Sequence, residues 1–198
     1  MERGGQAPGG QGGAPGASDS NCLIQINGGK VVLDSQGDGV DSNGNVEITG
    51  GTLLVNGPSS DGDGAFDYDG EATISGGTVL MAGAVGMAQS FTSGMQAFAL
   101  VQASGSAGSV IEATDADSNV IATLTATRAF GCVLVSGAGV SDGDTITVSV
   151  DGAATMATAS MTGTSGIPTG GPGGPGGMGG MGGGSATGNR PEGQGGPA

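Results

Sequence analysis

Short runs of alternating apolar and polar residues fill positions 22–87, and the runs repeat. Ile26-Asn-Gly-Gly-Lys-Val-Val-Leu, Ile48-Thr-Gly-Gly-Thr-Leu-Leu-Val and Ile74-Ser-Gly-Gly-Thr-Val-Leu-Met are one eight-residue phrase written three times, at intervals of 22 and 26 residues. Alternation with period two is the signature of strands, and no segment carries a helical period. A repeat in the low twenties points to a solenoid. Val-, Ile-, Leu- and Thr-rich units broken by Gly-Gly and Asp-Gly turns predict a parallel β-helix, each winding made of a few short strands. Equivalent residues of successive windings then stack about 4.8 Å apart, so that Ile26, Ile48 and Ile74 form one interior ladder. The Gly-Gly pairs suit turns that need a positive φ or leave no room for a Cβ.

From about Gln96 the pattern changes. Ala97-Phe-Ala-Leu-Val-Gln, Val110-Ile-Glu-Ala-Thr, Val120-Ile-Ala-Thr-Leu-Thr-Ala-Thr, Cys132-Val-Leu-Val-Ser and Thr145-Ile-Thr-Val-Ser-Val read as five strands with short polar loops between them. They predict antiparallel hairpins closing one end of the stack, because an open solenoid end exposes apolar interior and unpaired backbone. The expected architecture is all-β: a disordered Gly/Pro-rich segment over 1–18, about three parallel β-helix windings over 19–94, an antiparallel cap over 95–162 and a disordered Gly/Pro/Met-rich tail over 163–198. Every proline except Pro58 lies in the two outer segments, which lack the apolar surface to offset ordering entropy. The methionines of Gly176-Gly-Met-Gly-Gly-Met read as part of a flexible linker.

Charge narrows the function. The chain has 18 acidic and 4 basic residues, a net −14, and the charges of the outer segments cancel, so the whole excess belongs to the middle. That balance argues against nucleic acid, whose phosphates need Lys and Arg, and against anionic membrane surfaces. It favours metal cations or partners reached through them. No apolar run is long enough to cross a membrane as a helix, and the opening residues show no secretory h-region. Either the protein stays inside the cell or the sequence is a piece of something longer, and the piece is the expectation. Histidine is absent, which removes imidazole bases, His-based triads and His-containing zinc sites. Cys22 and Cys132 could form one disulfide if the protein is exported, but each sits in an apolar run and they read as two separate buried thiols.

A second phrase recurs beside the first: Gly37-Asp-Gly-Val-Asp-Ser-Asn-Gly, then Gly62-Asp-Gly-Ala-Phe-Asp-Tyr-Asp-Gly. Stacked windings would bring Asp38 near Asp63 and Asp41 near Asp67. Two carboxylates roughly 5 Å apart repel by about 0.8 kcal/mol even in water, and a cation among them would relieve this. Calcium takes six to eight oxygens in irregular geometry, and Asn43 and Asn45 add neutral oxygens. The same residues are also ordinary turn formers that need no metal, and no EF-hand spacing is present. Paired carboxylates leave glycoside hydrolysis open by residue type. A lyase would need calcium and a basic residue, for which the middle of the chain offers Lys30 and Arg128. Lys30 is replaced by Thr52 and Thr78 in the sister phrases, and as a strand residue it also serves edge protection. Tyr68 is the one ring with a polar tip, whereas Phe66, Phe91, Phe98 and Phe130 are expected inside.

The paired phrases Gly37-Asp-Gly-Val-Asp-Ser-Asn-Gly-Asn-Val-Glu-Ile-Thr-Gly-Gly-Thr and Gly62-Asp-Gly-Ala-Phe-Asp-Tyr-Asp-Gly, with Ile74-Ser-Gly-Gly-Thr, resemble the bacterial carbohydrate-binding-domain family. The resemblance spans about Cys22–Asp151. It implies a right-handed parallel β-helix related to calcium-dependent polysaccharide lyases, bound calcium, affinity for cell-wall polysaccharide such as polygalacturonate without established cleavage, and an extracellular or cell-surface location. Members of that family carry further N-terminal windings and a signal peptide, which this sequence does not show. Transferred residue by residue, Asp38, Asp41, Asn43, Asp63 and Asp67 are the calcium candidates, and Tyr68, Asp69 and Lys30 are the candidates for glycan contact. Calcium-dependent, non-catalytic binding of an acidic glycan is therefore the expectation. A polysaccharide lyase with Lys30 as base and a purely structural surface solenoid or adhesin fragment are the alternatives.

Overall fold

Three repeated phrases become three stacked windings. The computed structural model describes Asp19 and residues 21–163; the segments 1–18 and 164–198, including the Met-rich stretch, lie outside the described residues. The solenoid comprises β1 (Leu23–Asp34), β2 (Val40–Ser42), β3 (Asn45–Asn56), β4 (Phe66–Tyr68), β5 (Ala72–Ile74) and β6 (Thr78–Gly83). β1 and β3 are long strands that bend at their Gly-Gly pairs into two straights; in the third winding β5 and β6 are those straights. Parallel pairing sets Ile26 beside Ile48 and Ile48 beside Ile74, so the predicted interior ladder exists. The third side of the winding is β2 on β4, also parallel.

Alternation decides what enters the lumen. Val46, Ile48, Leu53, Val55, Ile74, Val79 and Met81 are each at most 1% exposed, each burial favouring the folded state by about 1.5–3 kcal/mol. Their counterparts in the first winding, Ile24, Ile26, Val31 and Leu33, are only half-buried, because no described winding lies over them. The corner glycines divide two tasks between them. Gly29, Gly51 and Gly77 have φ of 77°, 91° and 97°, in the region that favours glycine. Gly50 and Gly76, one position earlier, face the winding before: a Cβ would stand 2.7 Å from the Asn27 carbonyl oxygen and 2.5 Å from that of Thr49.

The cap is the predicted antiparallel element, but it forms two layers. β7 (Ser93–Val101), β8 (Val110–Thr114), β9 (Val120–Thr125), β10 (Cys132–Ser136) and β11 (Thr145–Val150) match the five expected strands, and β12 (Ala153–Thr158) and β13 (Ser160–Thr162) follow. β7 begins as a fourth winding, parallel to β5 at Ser93 and Gly94. It then runs antiparallel to β10, which also closes the edge of β6. Strands β12-β11-β8-β9 make a separate four-stranded sheet. The solenoid sheet thus has two apolar faces: Phe98, Leu100, Cys132 and Leu134 fill the lumen, while Leu80, Ala97, Val133 and Val135 pack with Ile111, Ile146 and Val148 of the second sheet.

Polar groups buried at the closure are satisfied. Gln96 donates to the Gly77 carbonyl (2.9 Å) and to Ser136 Oγ (2.8 Å), and Ser136 Oγ donates to the Ala97 carbonyl (2.7 Å). On the flank, Arg128 donates to the carbonyls of Asn56 (3.0 Å) and Gly57 (3.1 Å) and pairs with Asp34, tying the loop after β9 to the first two windings. Both cysteines are free thiols, Cys132 buried and Cys22 half-buried. Burial pushes the Cys132 thiol up to about 11.

Candidate cation-binding corner

The acidic phrases form the third side of the solenoid. Val40, Asp41 and Ser42 pair in register with Phe66, Asp67 and Tyr68. Val40, Ser42 and Phe66 are buried, so the period of two turns Asp41 and Asp67 outward, one above the other at the spacing of neighbouring strands, about 4.8 Å along the backbone. One step further on, Asp69 N–H donates to the Ser42 carbonyl and Gly70 N–H to the Gly44 carbonyl. Asn43 and Asp69 therefore stack as the next outward pair, both exposed. The result is an outward patch of four oxygen-bearing side chains, Asp41 and Asn43 on one winding, Asp67 and Asp69 on the next.

Asp67 is the electrostatic centre of this patch. Its carboxyl is held above the usual carboxylate range, first by partial burial and then by the charges of Asp38 and Asp41, with Asp69 adding to them and the Tyr68 N–H opposing. Asp67 Oδ1 accepts a hydrogen bond from Gln89 Nε2 at 2.8 Å, which ends the acid column with a neutral donor above the second winding. Gln89 has no counterpart in the repeated phrases. The stretch after Gly86 carries no acid, and that absence is the sequence signal for where the column stops.

The remaining candidates are placed differently from one another. Asp38 belongs to the same corner, but the register there is 26 residues: Gly39 N–H donates to the Gly64 carbonyl, and Asp38 Oδ1 accepts from Gly64 N–H at 2.7 Å. Asp38 thus faces Gly64, and Asp63 sits one residue earlier with its N–H donated to the Ser60 carbonyl. Tyr68 is half-buried; its ring lies 5.0 Å from that of Phe66 and its hydroxyl donates to the Ser90 carbonyl. Burial, then the Asp67 charge, pushes its phenol above the ordinary range. Phe66, Phe91 and Phe98 continue the aromatic column into the lumen, with centroids 5.1 and 5.3 Å apart. Lys30 is exposed and pairs in register with Thr52. It opens the straight that Asp34 ends, which places it about 13 Å along the strand from the start of the acid-bearing turn. Arg128, the other basic candidate, is engaged by Asp34 and two carbonyls.

Acids and amides also clamp winding to winding, a role the spacing alone did not reveal. Asp38 holds Gly64 N–H, Asp61 Oδ1 holds Gly86 N–H at 3.0 Å, and Asn45 Oδ1 holds Glu71 N–H at 2.9 Å. Each side chain reaches 25 or 26 residues forward to a main-chain donor. As a calcium site the corner is half-built. The oxygen chemistry is right for a hard cation, but among the described residues no three acidic, His or Cys side chains are gathered closely enough to form a cage. An ion there would draw its other ligands from water or from a bound anion. No family model matches the chain, and neither a curated protein nor a solved structure does.

Proposed function

We propose that the outward corner of Asp41, Asp67, Asp69 and Asn43 binds calcium, and that the ion bridges the protein to an anionic polysaccharide such as polygalacturonate without cleaving it. The observation that carries this is the in-register stacking of Asp41 on Asp67, together with a carboxyl at Asp67 raised by burial and by its acidic neighbours. A divalent ion would offset that repulsion. Because the protein supplies only part of the coordination shell, uronate carboxylates are the natural complement, and ion and glycan should bind with mutual reinforcement. The polysaccharide itself comes from the resemblance carried by the recurring Asp-Gly phrases. Lys30 stands away from the acid corner, which favours binding over a lyase reaction.

Calorimetric titration of the full chain tests this. Calcium alone should bind weakly, polygalacturonate alone should give no heat, and each should tighten the other at least tenfold. Binding of the glycan that persists in chelator would overturn the proposal. A second reading, a structural solenoid without a ligand, is favoured by the clamps of Asp38, Asp61 and Asn45 on main-chain donors. Under it, calcium would leave the melting temperature unchanged, since only a ligand that prefers the native state shifts it.

A further inference from the structure

We propose that the outer edge of β1 pairs with β1 of a second copy of this chain, giving a two-fold dimer in which two solenoids meet end to end. Among the described residues no strand covers that edge: β1 pairs only with β3. It is 12 residues long, contains no proline and has one lysine, so it lacks most of the devices that blunt exposed edges. Its inward residues Ile24, Ile26, Val31 and Leu33 are half-buried, whereas their counterparts one winding on, Val46, Ile48, Leu53 and Val55, are at most 1% exposed.

The corner glycines carry the same message independently. At Gly50 and Gly76 a Cβ would strike the preceding winding, while at Gly28 nothing lies within 4 Å. The first corner has the small residue that a neighbouring backbone requires, and open space where that backbone would be.

A second copy fits because β1 is self-complementary when reversed. With the two-fold axis through the corner, between Gly28 and Gly29, residues whose numbers sum to 57 stand opposite one another. Inward Ile24 then meets Leu33 of the other copy, and Ile26 meets Val31. Outward Leu23 meets Asp34, Gln25 meets Val32, and Asn27 meets Lys30. No inward position is set against an outward one, so both lumens continue through the junction. Charge points the same way. The segment Cys22–Asp34 holds one Lys and one Asp, net zero, in a chain of net −14, which makes this end the place where two copies approach with least repulsion.

The test is the mass of the full chain by sedimentation in the analytical ultracentrifuge over a range of concentrations, together with two substitutions at Leu23, which is 50% exposed. The native chain should reach twice 18.4 kDa as concentration rises, with hydrogen exchange of β1 amides slowing in step and that of β3 amides unchanged. Leu23→Glu adds an acid beside the Asp34–Arg128 pair of the other copy in a chain of net −14 and should weaken the dimer at least tenfold; Leu23→Lys adds no acid there and should weaken it far less. The same pair of changes at Val120, exposed on β9 away from the edge, reports the general effect of net charge and should move the equilibrium far less. A chain that stays monomeric at every concentration overturns the proposal. So does a dimer that answers to Leu23 and Val120 alike, or one whose β1 amides exchange no more slowly than in the monomer.

Discussion

Alanine at the first glycine of each corner should separate the three windings. Gly28, Gly50 and Gly76 occupy the same place in the repeated phrase, and none has a positive φ, so the backbone of each accepts alanine. On that account alone every substitution should stabilise by about 0.4–1 kcal/mol, through the lost freedom of the unfolded chain. The contacts differ. A Cβ at Gly28 meets nothing within 4 Å, at Gly50 it meets the Asn27 carbonyl oxygen at 2.7 Å, and at Gly76 the Thr49 oxygen at 2.5 Å. Both oxygens are main-chain atoms in the stack and move only with their windings, a distortion that costs about 1–3 kcal/mol. Gly28→Ala should therefore raise stability by up to about 1 kcal/mol, Gly50→Ala should lower it by about 1, and Gly76→Ala by about 2 or more. For a chain of this size that is about 2–4 °C per kcal/mol. Urea denaturation followed by far-ultraviolet circular dichroism, at concentrations where the chain is monomeric, measures the series with a common m-value. Equal shifts at all three positions would refute the stacking of the corners.

Other outcomes follow from the same contacts. Asp67→Asn keeps an acceptor for Gln89 and removes a charge that burial and neighbouring acids disfavour. With its folded pKa raised, Asp67 destabilises once it ionises, so the variant should be the more stable at neutral pH. The difference should vanish as pH falls through the raised value towards 3.8; melting curves across that range check it, and a gap that widens on acidification would contradict it. Arg128→Ala strips a charged donor from the buried carbonyls of Asn56 and Gly57 and should cost about 2–3 kcal/mol; a loss below about 0.5 kcal/mol would show these bonds to be replaced by water. Cys132, buried and pushed up to about 11, should react with a thiol reagent only after unfolding, while half-buried Cys22 reacts in the native chain. Two fast thiols in the native protein would contradict that difference.

What could be read from residues alone was the apolar or alternating pattern of single strands, as in β8, β10 and β11, and whatever the repeat wrote more than once. Three copies of the Ile-x-Gly-Gly phrase gave the Ile26, Ile48 and Ile74 ladder and the positive φ of Gly29, Gly51 and Gly77, because each winding imposes the same local demand. The Asp41–Asp67 pair came out for the same reason. Asp38 stands against Gly64 instead of Asp63 because the turns between windings differ in length: the corner runs on a 26-residue register while the two aspartates are 25 apart. Intervals in a sequence place a residue to within a step, and only hydrogen bonding decides the step. The strand Ala153–Thr158 was hidden by composition. Its Ala and Thr residues are mostly exposed and carry little apolar contrast, and the strand is set by pairing with β11. The two-layer cap was hidden too, since Leu80 and Val79 both read as core and only the structure assigns them to opposite faces of one sheet.

The most direct examination of the acid corner is an anomalous-difference map from crystals grown with a calcium-mimicking lanthanide and a short oligogalacturonide. An ion peak is expected between the outward carboxylates of Asp41 and Asp67, with a uronate oxygen completing its shell. Density for the sugar elsewhere, or a corner without an ion at saturating concentration, would contradict it.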